Sequence, residues 1–520
     1  MQAFVAVMDP IIHFLESFSF LGTSTHVVKL QFLDDALQPV ANSLGMQLTV
    51  IKYLVGLFAV YPFSAILFNL PNKNAKHFFS FLIGFVFLQW IFGPDWIHTF
   101  ISSFVTYLLC AFGPKKYQAQ IVFFWVMGYM TMSHIYRMYV SYLSGIFDFT
   151  GTQMVITMKL TSFAYNLYDG TYDYKKVFAT EYNPKEAKMY LSRKKFAIQQ
   201  LPNLLEFFGY VFCFTCILAW PAFEYNDYVQ SIDETSFIRP EDKEKKDNKK
   251  IQKPSTLLPA LKCLLISIVC MVGYLQINGR YKINDQFDPK FIASYTLPMR
   301  FILLLVAMFG ERLKFYFAWK IAEGGSILGG FGFEGFDNKT GKEIGWKGVE
   351  NIEIIGFETA PNIQTASRVW NKRTQGWLER YTYLRSGKSL YAVYFVSALW
   401  HGLYPGFFFV FMSVPLLTTI ERLTKQKLNP IFCPGYDGYK IETYPNTMTA
   451  KIYWIFCWFM CVLGLNYIAQ AFTMGSLENT LGAYKAQKFI GHIVIAVLYV
   501  ILTLIPGPKK EKSEKVEKKE

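Results

Sequence analysis

Charged side chains are scarce in this chain. Asp, Glu, Lys and Arg make up 17% of its 520 residues, whereas soluble domains typically contain about 25%. The charges also cluster, which leaves several runs of about 20 apolar residues, each long enough to cross a bilayer. This pattern excludes a soluble multidomain protein, and it disfavours a β-barrel, which needs short alternating strands. The sequence predicts an all-α polytopic membrane protein.

Cysteine is also sparse, and motifs for metal, redox or hydrolytic chemistry are missing. Cys213 and Cys216 form a C-x-x-C in apolar surroundings without a second pair, which indicates packing residues rather than a zinc or redox site. The sequence has no H-E-x-x-H and no evident Ser–His–Asp arrangement, which argues against a hydrolase. The G-x-G-x-x-G at 330–335 follows no apparent strand, so it predicts a tight glycine turn. We expect no metal and no cofactor.

The positive charge of the chain points to lipid rather than to nucleic acid. The net charge is +14, but the Lys and Arg residues lie in connecting segments and in the tail. Such placement is typical of cytosolic loops beside anionic lipid. We therefore expect membrane lipids, and no nucleic acid, as partners. The first 22 residues lack a basic start and contain Asp9, so they do not resemble a cleaved signal peptide.

The apolar runs predict about nine to eleven membrane helices, together with short re-entrant or amphipathic helices. The candidate spans are approximately 48–70, 78–93, 97–113, 119–142, 203–222, 257–277, 292–317, 389–420, 448–474 and 486–506. We divide the chain into an N-terminal amphipathic or first membrane segment, 1–47, a transmembrane domain that carries the chemistry, 48–507, and a charged cytosolic tail, 508–520.

Two polar regions interrupt the transmembrane domain. Residues 239–255 form a highly charged loop to which we assign no chemistry. Residues 320–388 are too polar to span a membrane but are rich in Trp, Phe and Gly. Irregular backbone near membrane depth is tolerated where it is buried in protein or lines a wet cavity. We therefore expect 320–388 to form one wall of an internal reaction chamber.

One ionisable residue, His401, lies in the middle of an apolar aromatic run. An ionisable side chain at that depth is costly, so a functional role is the default hypothesis. Trp400 precedes it, and Gly402 and Pro405 let the backbone bend and other segments approach. The alternative is a core histidine bonded to a backbone carbonyl, and the residues alone support the two about equally. Asn371 lies 30 positions upstream, in a segment crowded with Arg and Lys.

Further charges occupy a second apolar span. His134 and Arg137 are three residues apart and share a helix face, and Asp148, Lys159 and Asp169 follow. Membrane-embedded charges generally face the bundle interior and pair with one another. A structural network and a substrate site both remain open for them. A proton-coupled transporter that uses His134, Arg137 and Asp169 as a relay is the alternative function, although no inverted repeat is visible.

Two blocks resemble the signature of membrane-bound O-acyltransferases, specifically their lysophospholipid branch. The first is W-N-K-R-T-Q-G-W-L-E-R-Y-T-Y-L-R from Trp370, and the second is S-A-L-W-H-G-L-Y-P-G-F-F from Ser397. The resemblance extends to D-F-T-G-T-Q-M, N-L-Y-D-G, E-Y-N-D-Y and K-F-Y-F-A-W-K-I-A-E-G, and covers roughly residues 120–420. Trp220 is a departure, because relatives commonly carry Gly there, and we expect it to alter only local packing.

The resemblance implies a function. It places the family's two catalytic residues at His401 and Asn371 and implies transfer of a fatty acyl chain from acyl-coenzyme A to the free hydroxyl of a lysophospholipid. It also implies a multi-pass protein of the endoplasmic reticulum, which the approximate dilysine signal at 517–520 supports weakly. Transfer to sterol, diacylglycerol or a protein is the alternative within the family. A homodimer is a further expectation.

The chemistry assigns roles to these residues. Neutral imidazole is the natural base near neutral pH for removing a hydroxyl proton, an effect worth about 10² to 10⁴ in rate. Asn371 could donate to the tetrahedral oxyanion or hold the attacking hydroxyl, and the sequence leaves both open. Candidates for binding the coenzyme A phosphates are Lys372, Arg373, Arg380 and Arg385, although these could equally be ordinary positive loop residues. Further candidates for substrate binding are Trp370, Trp377, Trp400 and Tyr404, and the aromatic spans are expected to wall the tunnels for the two hydrocarbon tails.

Overall fold

The fold is all-α, as the sequence predicts. The computed structural model describes residues 9–10, 12–19, 30–145, 147–179, 184–219, 221–239, 252–436 and 444–506. In these ranges the regular structure is helical, apart from one isolated antiparallel bridge between Phe336 and Glu343. The predicted tail 508–520, most of the charged loop 239–255, parts of the N-terminal segment 1–47 and Trp220, for which local packing was predicted, lie outside the described residues.

The helices are numbered here from Gln31 onward. The first group is α1 (Gln31–Leu44), α2 (Leu48–Asn69), α3 (Lys73–Phe92), α4 (Trp96–Phe112), α5 (Gln118–Val140), α6 (Thr150–Asp169), α7 (Tyr174–Ala179) and α8 (Pro184–Phe196). The second is α9 (Leu204–Val211), α10 (Phe214–Ile217), α11 (Tyr225–Ile232), α12 (Leu257–Asn278), α13 (Pro289–Ser294) and α14 (Leu297–Leu328). The third is α15 (Ile354–Glu358), α16 (Ile363–Val369), α17 (Lys372–Tyr381), α18 (Leu390–His401), α19 (Pro405–Lys427), α20 (Asn429–Phe432), α21 (Met448–Met474), α22 (Leu477–Ala486) and α23 (Ile490–Leu504).

Fewer helices meet a strict length and apolarity criterion for spanning than the sequence predicted. Within the described residues, the five segments that meet it are Leu48–Asn69, Lys73–Phe112, Leu257–Phe287, Pro405–Lys427 and Met448–Met474. The pair α22 and α23 adds a sixth if their 75° bend marks one broken span. Helices α5 and α14 are long enough but too polar, and α18 is too short because the chain turns after His401.

Helix α6 runs through the interior of the bundle. Every side chain from Val155 to Leu167 is buried, so the helix has no solvent or lipid face along this stretch. Its Lys159 donates to the backbone carbonyls of Tyr210 and Val211, and its ammonium group lies 4.4 Å from the centre of the Tyr210 ring. These contacts satisfy a buried cation and indicate a structural role.

The predicted glycine turn anchors the start of the polar region. Gly330, Gly332 and Gly335 all have φ +87°, a conformation that favours glycine. A Cβ atom on Gly332 would lie 2.7 Å from the backbone nitrogen of Val349. The amide of Gly348 donates to the carbonyl of Gly332 over 2.9 Å. The turn therefore fixes the short 3₁₀ helix Lys347–Val349 and the loop that follows it.

Candidate active site

His401 lies at the end of α18, where the helix stops because Gly402 takes φ 133°. The ring nitrogen Nδ1 lies 2.7 Å from the carbonyl oxygen of Ser397, and a carbonyl can only accept, so Nδ1 carries the proton. In the neutral ring Nε2 is therefore the nitrogen that can act as a base. The rings of Trp400, Phe411 and Phe472 have their centres 4.6, 4.8 and 5.2 Å from the imidazole. The imidazole of His401, the candidate base, thus lies in an aromatic enclosure.

The residues next to His401 are fixed on both sides. Trp400 is fully buried, and its indole NH donates to the carbonyl of Met154 over 3.0 Å. The carbonyl of Trp400 in turn accepts from Nε2 of His134 over 3.0 Å. A Cβ atom on Gly402 would come within 3.4 Å of the His134 ring. His134 therefore supports the backbone that carries the candidate base.

Asn371 forms the junction between α16 and α17. Its backbone is left-handed, with φ 45° and ψ 49°, a conformation that Asn adopts more readily than most residues. Its side-chain oxygen Oδ1 accepts from Nδ2 of Asn351 over 3.1 Å. Among the described residues its own Nδ2 has no hydrogen-bond partner. The amide NH₂ group is therefore available to a ligand.

Trp370 anchors this junction in an aromatic cluster. Its ring centre lies 4.6 Å from that of Phe357, 5.0 Å from that of Trp319 and 6.0 Å from that of Tyr316. Phe357 and Trp370, two aromatic residues of the polar region 320–388, thus pack together against α14. This packing holds Asn371, the neighbour of Trp370, in place. Trp370 also contributes to the wall of the adjoining cavity.

A single cavity of about 500 Å³ brings the predicted catalytic residues together. His401, Asn371 and Trp370 all line it, although 30 residues separate the first two in the sequence. Its remaining walls come from α14, α15, α16, α17, α19 and α21 and are mostly apolar. We call it the reaction cavity. An apolar enclosure with a few convergent polar groups is typical of a small-molecule site.

One end of the reaction cavity carries charged residues that the sequence analysis did not name. Arg312 makes a two-pronged contact with Glu358, at 2.8 and 2.9 Å, and also donates to Asn466. The hydroxyl of Tyr316 donates to the same carboxylate over 2.6 Å. The sequence did carry a signal, because Arg312 follows an apolar run at the start of α14, and a charge next to such a run is anomalous in the same way as His401. The pairing with Glu358 depends on tertiary packing.

The four basic residues predicted to bind phosphate already have partners within the protein. Lys372 pairs with Glu350, Arg380 with Glu224 and Arg385 with Asp169, at 2.5 to 2.6 Å, and Arg373 donates to the carbonyl of Lys347 over 3.0 Å. None of the four lines the reaction cavity. Phosphate binding by these groups stays a prediction, and the ion pairs weaken it.

Two of these pairs, Arg380 with Glu224 and Arg385 with Asp169, belong to a network that joins α17 and the short helix after it to α6 and to the start of α11. Glu224 also accepts from Tyr381 over 3.0 Å and from Asn166 over 2.8 Å. Burial, followed by the nearby Glu224 carboxylate, raises the pKa of Asp227 above its ordinary value. Burial lowers the pKa of the Arg373 guanidinium. The network fixes α17 against the bundle and so supports Asn371 at the start of that helix.

Three of the residues predicted to bind substrate lie in the packing around the site rather than on the wall of the reaction cavity. Trp377 is 2% exposed, donates to Thr161 over 2.8 Å and packs on Trp400 with 5.9 Å between ring centres. Tyr404 packs on Tyr142 with ring centres 5.4 Å apart. The described positions favour a supporting role for Trp377, Trp400 and Tyr404.

A second cavity of about 580 Å³ lies beside the reaction cavity. Helices α14, α19, α21 and α23 contribute most of its walls, and the lining is almost wholly apolar. Ile363 and Cys461 line both cavities and therefore stand between them. We call this space the apolar cavity. Its shape and lining suit a hydrocarbon chain.

No group of three or more His, Cys, Asp and Glu side chains is placed to hold a metal ion in the part of the chain that the structure describes. The predicted absence of a metal and of a cofactor stays a prediction.

Comparison with known proteins identifies relatives over most of the chain. The model of the membrane-bound O-acyltransferase family matches residues 134–435. A Schizosaccharomyces pombe protein named lysophospholipid acyltransferase is 30% identical, covering 89% of this chain and 87% of its own length. Lysophospholipid acyltransferase 1 of Arabidopsis thaliana is 29% identical over 92% of this chain and 99% of its own. Human membrane-bound glycerophospholipid O-acyltransferase 1 is 26% identical, with coverages of 90% and 92%.

Proposed function

Because the chain belongs to the membrane-bound O-acyltransferase family, we propose that it transfers a fatty acyl chain from acyl-coenzyme A to the free hydroxyl of a lysophospholipid. The names of its relatives support this acceptor class. One observation carries the chemical part of the proposal. His401 and Asn371, which come from separate sequence blocks, line the same cavity, so a base and an amide donor can act on one pair of substrates.

In the proposed reaction His401 acts as general base. An alcohol is a poor nucleophile toward a thioester because it must lose its proton as it attacks. Nε2 of His401 accepts the proton of the lysolipid hydroxyl while the oxygen bonds to the thioester carbonyl carbon. The carbon–sulfur bond then breaks, and the imidazolium returns the proton to the departing thiolate. Such a base typically contributes about 10² to 10⁴ in rate.

Asn371 supports the proposal as the partner of the developing negative charge. Attack on the thioester turns its carbonyl oxygen into an oxyanion, which needs a fixed donor in a site that excludes water. Asn371 lines the reaction cavity, and its NH₂ group has no partner among the described residues. Direct transfer of this kind needs neither a covalent acyl-enzyme nor a metal ion.

The apolar cavity offers room for one of the two hydrocarbon tails. We propose that a tail bound beside His401 passes the boundary formed by Ile363 and Cys461, the two residues that line both spaces, and enters the apolar cavity. Each buried methylene group contributes about 0.8 kcal/mol to binding. The depth of this passage would therefore influence which acyl chains are accepted.

The setting of the reaction follows from its substrates. The protein is a multi-pass membrane protein, and we propose the endoplasmic reticulum as its membrane and acyl-coenzyme A as its co-substrate. A homodimer remains part of the proposal. It rests on no contact within the single chain described.

An acceptor panel tests the proposal directly. Purified protein in mixed micelles receives labelled acyl-coenzyme A together with a lysophospholipid, a sterol, a diacylglycerol or a peptide. We expect transfer to the lysophospholipid and its loss in His401→Ala. His13→Ala, which removes an exposed histidine, is the matched control and should keep full activity. Transfer to sterol, diacylglycerol or peptide, but to no lysophospholipid, would contradict the proposal that a lysophospholipid is the acyl acceptor.

The same variants separate the enzyme from the transporter alternative. A transporter that relays protons through His134, Arg137 and Asp169 predicts that His401→Ala spares substrate flux. In the structure His134 bonds to the carbonyl of Trp400 and Asp169 pairs with Arg385, which are supporting contacts. Proton-coupled flux into proteoliposomes that survives in His401→Ala, with no acyl transfer by the wild type, would favour the transporter.

A further inference from the structure

Asn351 is a polar residue with no exposure to solvent. It is 0% exposed and lies in the loop between the 3₁₀ helix Lys347–Val349 and α15. Buried polar groups are nearly always hydrogen-bonded, so the partners of such a residue show what it does. Asn351 uses its side-chain oxygen, its side-chain nitrogen and its carbonyl, and all three point to the junction that carries Asn371.

Three hydrogen bonds join Asn351 to this junction. Its carbonyl accepts from the backbone amide of Lys372 over 2.8 Å. Its side-chain Oδ1 accepts from the backbone amide of Arg373 over 3.1 Å. Its Nδ2 donates to Oδ1 of Asn371 over 3.1 Å. One side chain therefore binds the first turn of α17 and the candidate catalytic amide together.

These contacts set the direction of the Asn371 amide. A backbone NH group can only donate, so the atom of Asn351 that faces Arg373 must be its oxygen. The NH₂ group of Asn351 then faces Asn371, and because NH₂ can only donate, Asn371 must present its oxygen in return. The NH₂ group of Asn371 is left for the reaction cavity, whose wall Asn371 forms.

We infer that Asn351 is a positioning residue that holds the amide of Asn371 as a hydrogen-bond donor toward the reacting thioester carbonyl. The inference rests on the proposed function. It goes further because it fixes how Asn371 acts: the amide presents its NH₂ group as a donor and does not accept the proton of the attacking hydroxyl, and we assign the donated hydrogen bond to the oxyanion. Asn351 itself lines neither cavity and acts only through Asn371.

The loop that carries Asn351 is itself fixed. The Gly332 turn holds Gly348, and the amide of Glu353 donates to the carbonyl of Val369 over 3.1 Å. Glu350 pairs with Lys372. The neighbouring Ile352 is fully buried. A rigid support of this kind is what a preorganised donor requires, since its orientation must be set before charge develops.

Asn351→Asp tests the inference with almost no change of shape. One oxygen of the ionised carboxylate can still accept from the amide of Arg373, but the other cannot donate to Asn371. The Asn371 amide then turns to donate to the carboxylate and presents its oxygen to the thioester. We expect kcat to fall by about 10² to 10³, the cost of removing one oxyanion donor. The KM values for both substrates should stay unchanged, because ground-state contacts remain.

A matched control and a double variant exclude a merely structural role. Asn203 is an exposed N-cap of α9 that accepts from the amide of Glu206 over 3.0 Å, and Asn203→Asp should keep the wild-type kcat. Asn351→Asp combined with Asn371→Gly should be no slower than Asn371→Gly alone, because the two residues act as one unit. Thermal unfolding of each variant shows that the protein is folded.

The outcomes distinguish this inference from the proposed function. A wild-type kcat in Asn351→Asp, or a double variant slowed by the product of the single effects, overturns the inference while Asn371→Gly remains slow. Retention of transfer in both His401→Ala and Asn371→Gly overturns the proposed mechanism itself. Absence of transfer to any lysophospholipid by the wild type overturns the acceptor and the inference with it.

Discussion

At the scale of single residues, the left-handed backbone of Asn371 makes it possible to measure the catalytic contribution of its amide separately from the contribution of this residue to stability. Glycine adopts φ 45° without strain, whereas an alanine in this region costs roughly 1–2 kcal/mol. We expect Asn371→Gly and Asn371→Ala to lose kcat equally, by about 10² to 10³, because both lack the amide. Asn371→Ala should also have the lower melting temperature. Paired measurements of kcat and Tm check this, and equal melting temperatures would contradict the assigned strain.

Individual residues of the candidate site differ in how far they could be recognised from the sequence. His401 was recognisable because an ionisable group in an apolar run is anomalous, and Asn371 was recognisable through the resemblance to a family. Asn351 carries no such signal, since an asparagine in a polar loop is unremarkable until folding places it 3.1 Å from Asn371. The pairing of Arg312 with Glu358 was hidden for the same reason.

At the scale of elements, the turn between α18 and α19 fixes the candidate base. Gly402 has φ 133°, and a Cβ atom there would lie 3.3 Å from the Phe407 ring and 3.4 Å from Nδ1 of His134. We expect Gly402→Ala to displace His401 and to lower kcat at least tenfold, since backbone strain of this kind costs about 1–3 kcal/mol. Gly128→Ala is the control, because that helical glycine has open space around it. Wild-type kcat in Gly402→Ala would contradict the positioning role of the turn.

The elements themselves were predictable to different degrees. The apolar runs located α2, α12 and α21 well, because length and hydropathy decide those helices. The run 389–420 is in fact two helices, α18 and α19, broken at Gly402–Tyr404. The region 320–388 was predicted to wall a chamber, and its Trp370 and Asn371 do line the reaction cavity. Packing against α14 and the glycine turn shapes that wall, and no local pattern encodes such contacts.

At the scale of the whole molecule, the proposed route of the tail past Ile363 and Cys461 should govern chain-length preference. Cys461→Phe would narrow it, and each methylene excluded from burial costs about 0.8 kcal/mol. Loss of two methylenes would reduce the rate with long acyl chains about tenfold relative to short ones. Rates across a series of acyl-coenzyme A lengths measure this effect. An unchanged length profile would show that the tails take another route.

The class of the whole protein follows from composition, but the arrangement of its cavities does not. Scarce charge and long apolar runs indicate a polytopic helical protein whatever the order of the helices. The cavities arise between α14 and two helices from a later part of the chain, α19 and α21, so the cavity volumes depend on how these helices pack. Similarity to known proteins identifies the family of the chain. Only the packing of the helices shows that the interior contains two cavities.

The hydrogen bond between His401 and Ser397 has a last consequence. With Nδ1 committed to a carbonyl of its own helix, the imidazole offers a single nitrogen to both reactants. On the proposed mechanism, uptake and return of the proton must then be successive events at one atom. The departing thiolate of coenzyme A must therefore come close to Nε2, which has just taken the proton of the lysophospholipid hydroxyl. Acyl-coenzyme A and the lysophospholipid must both be bound before either product can leave.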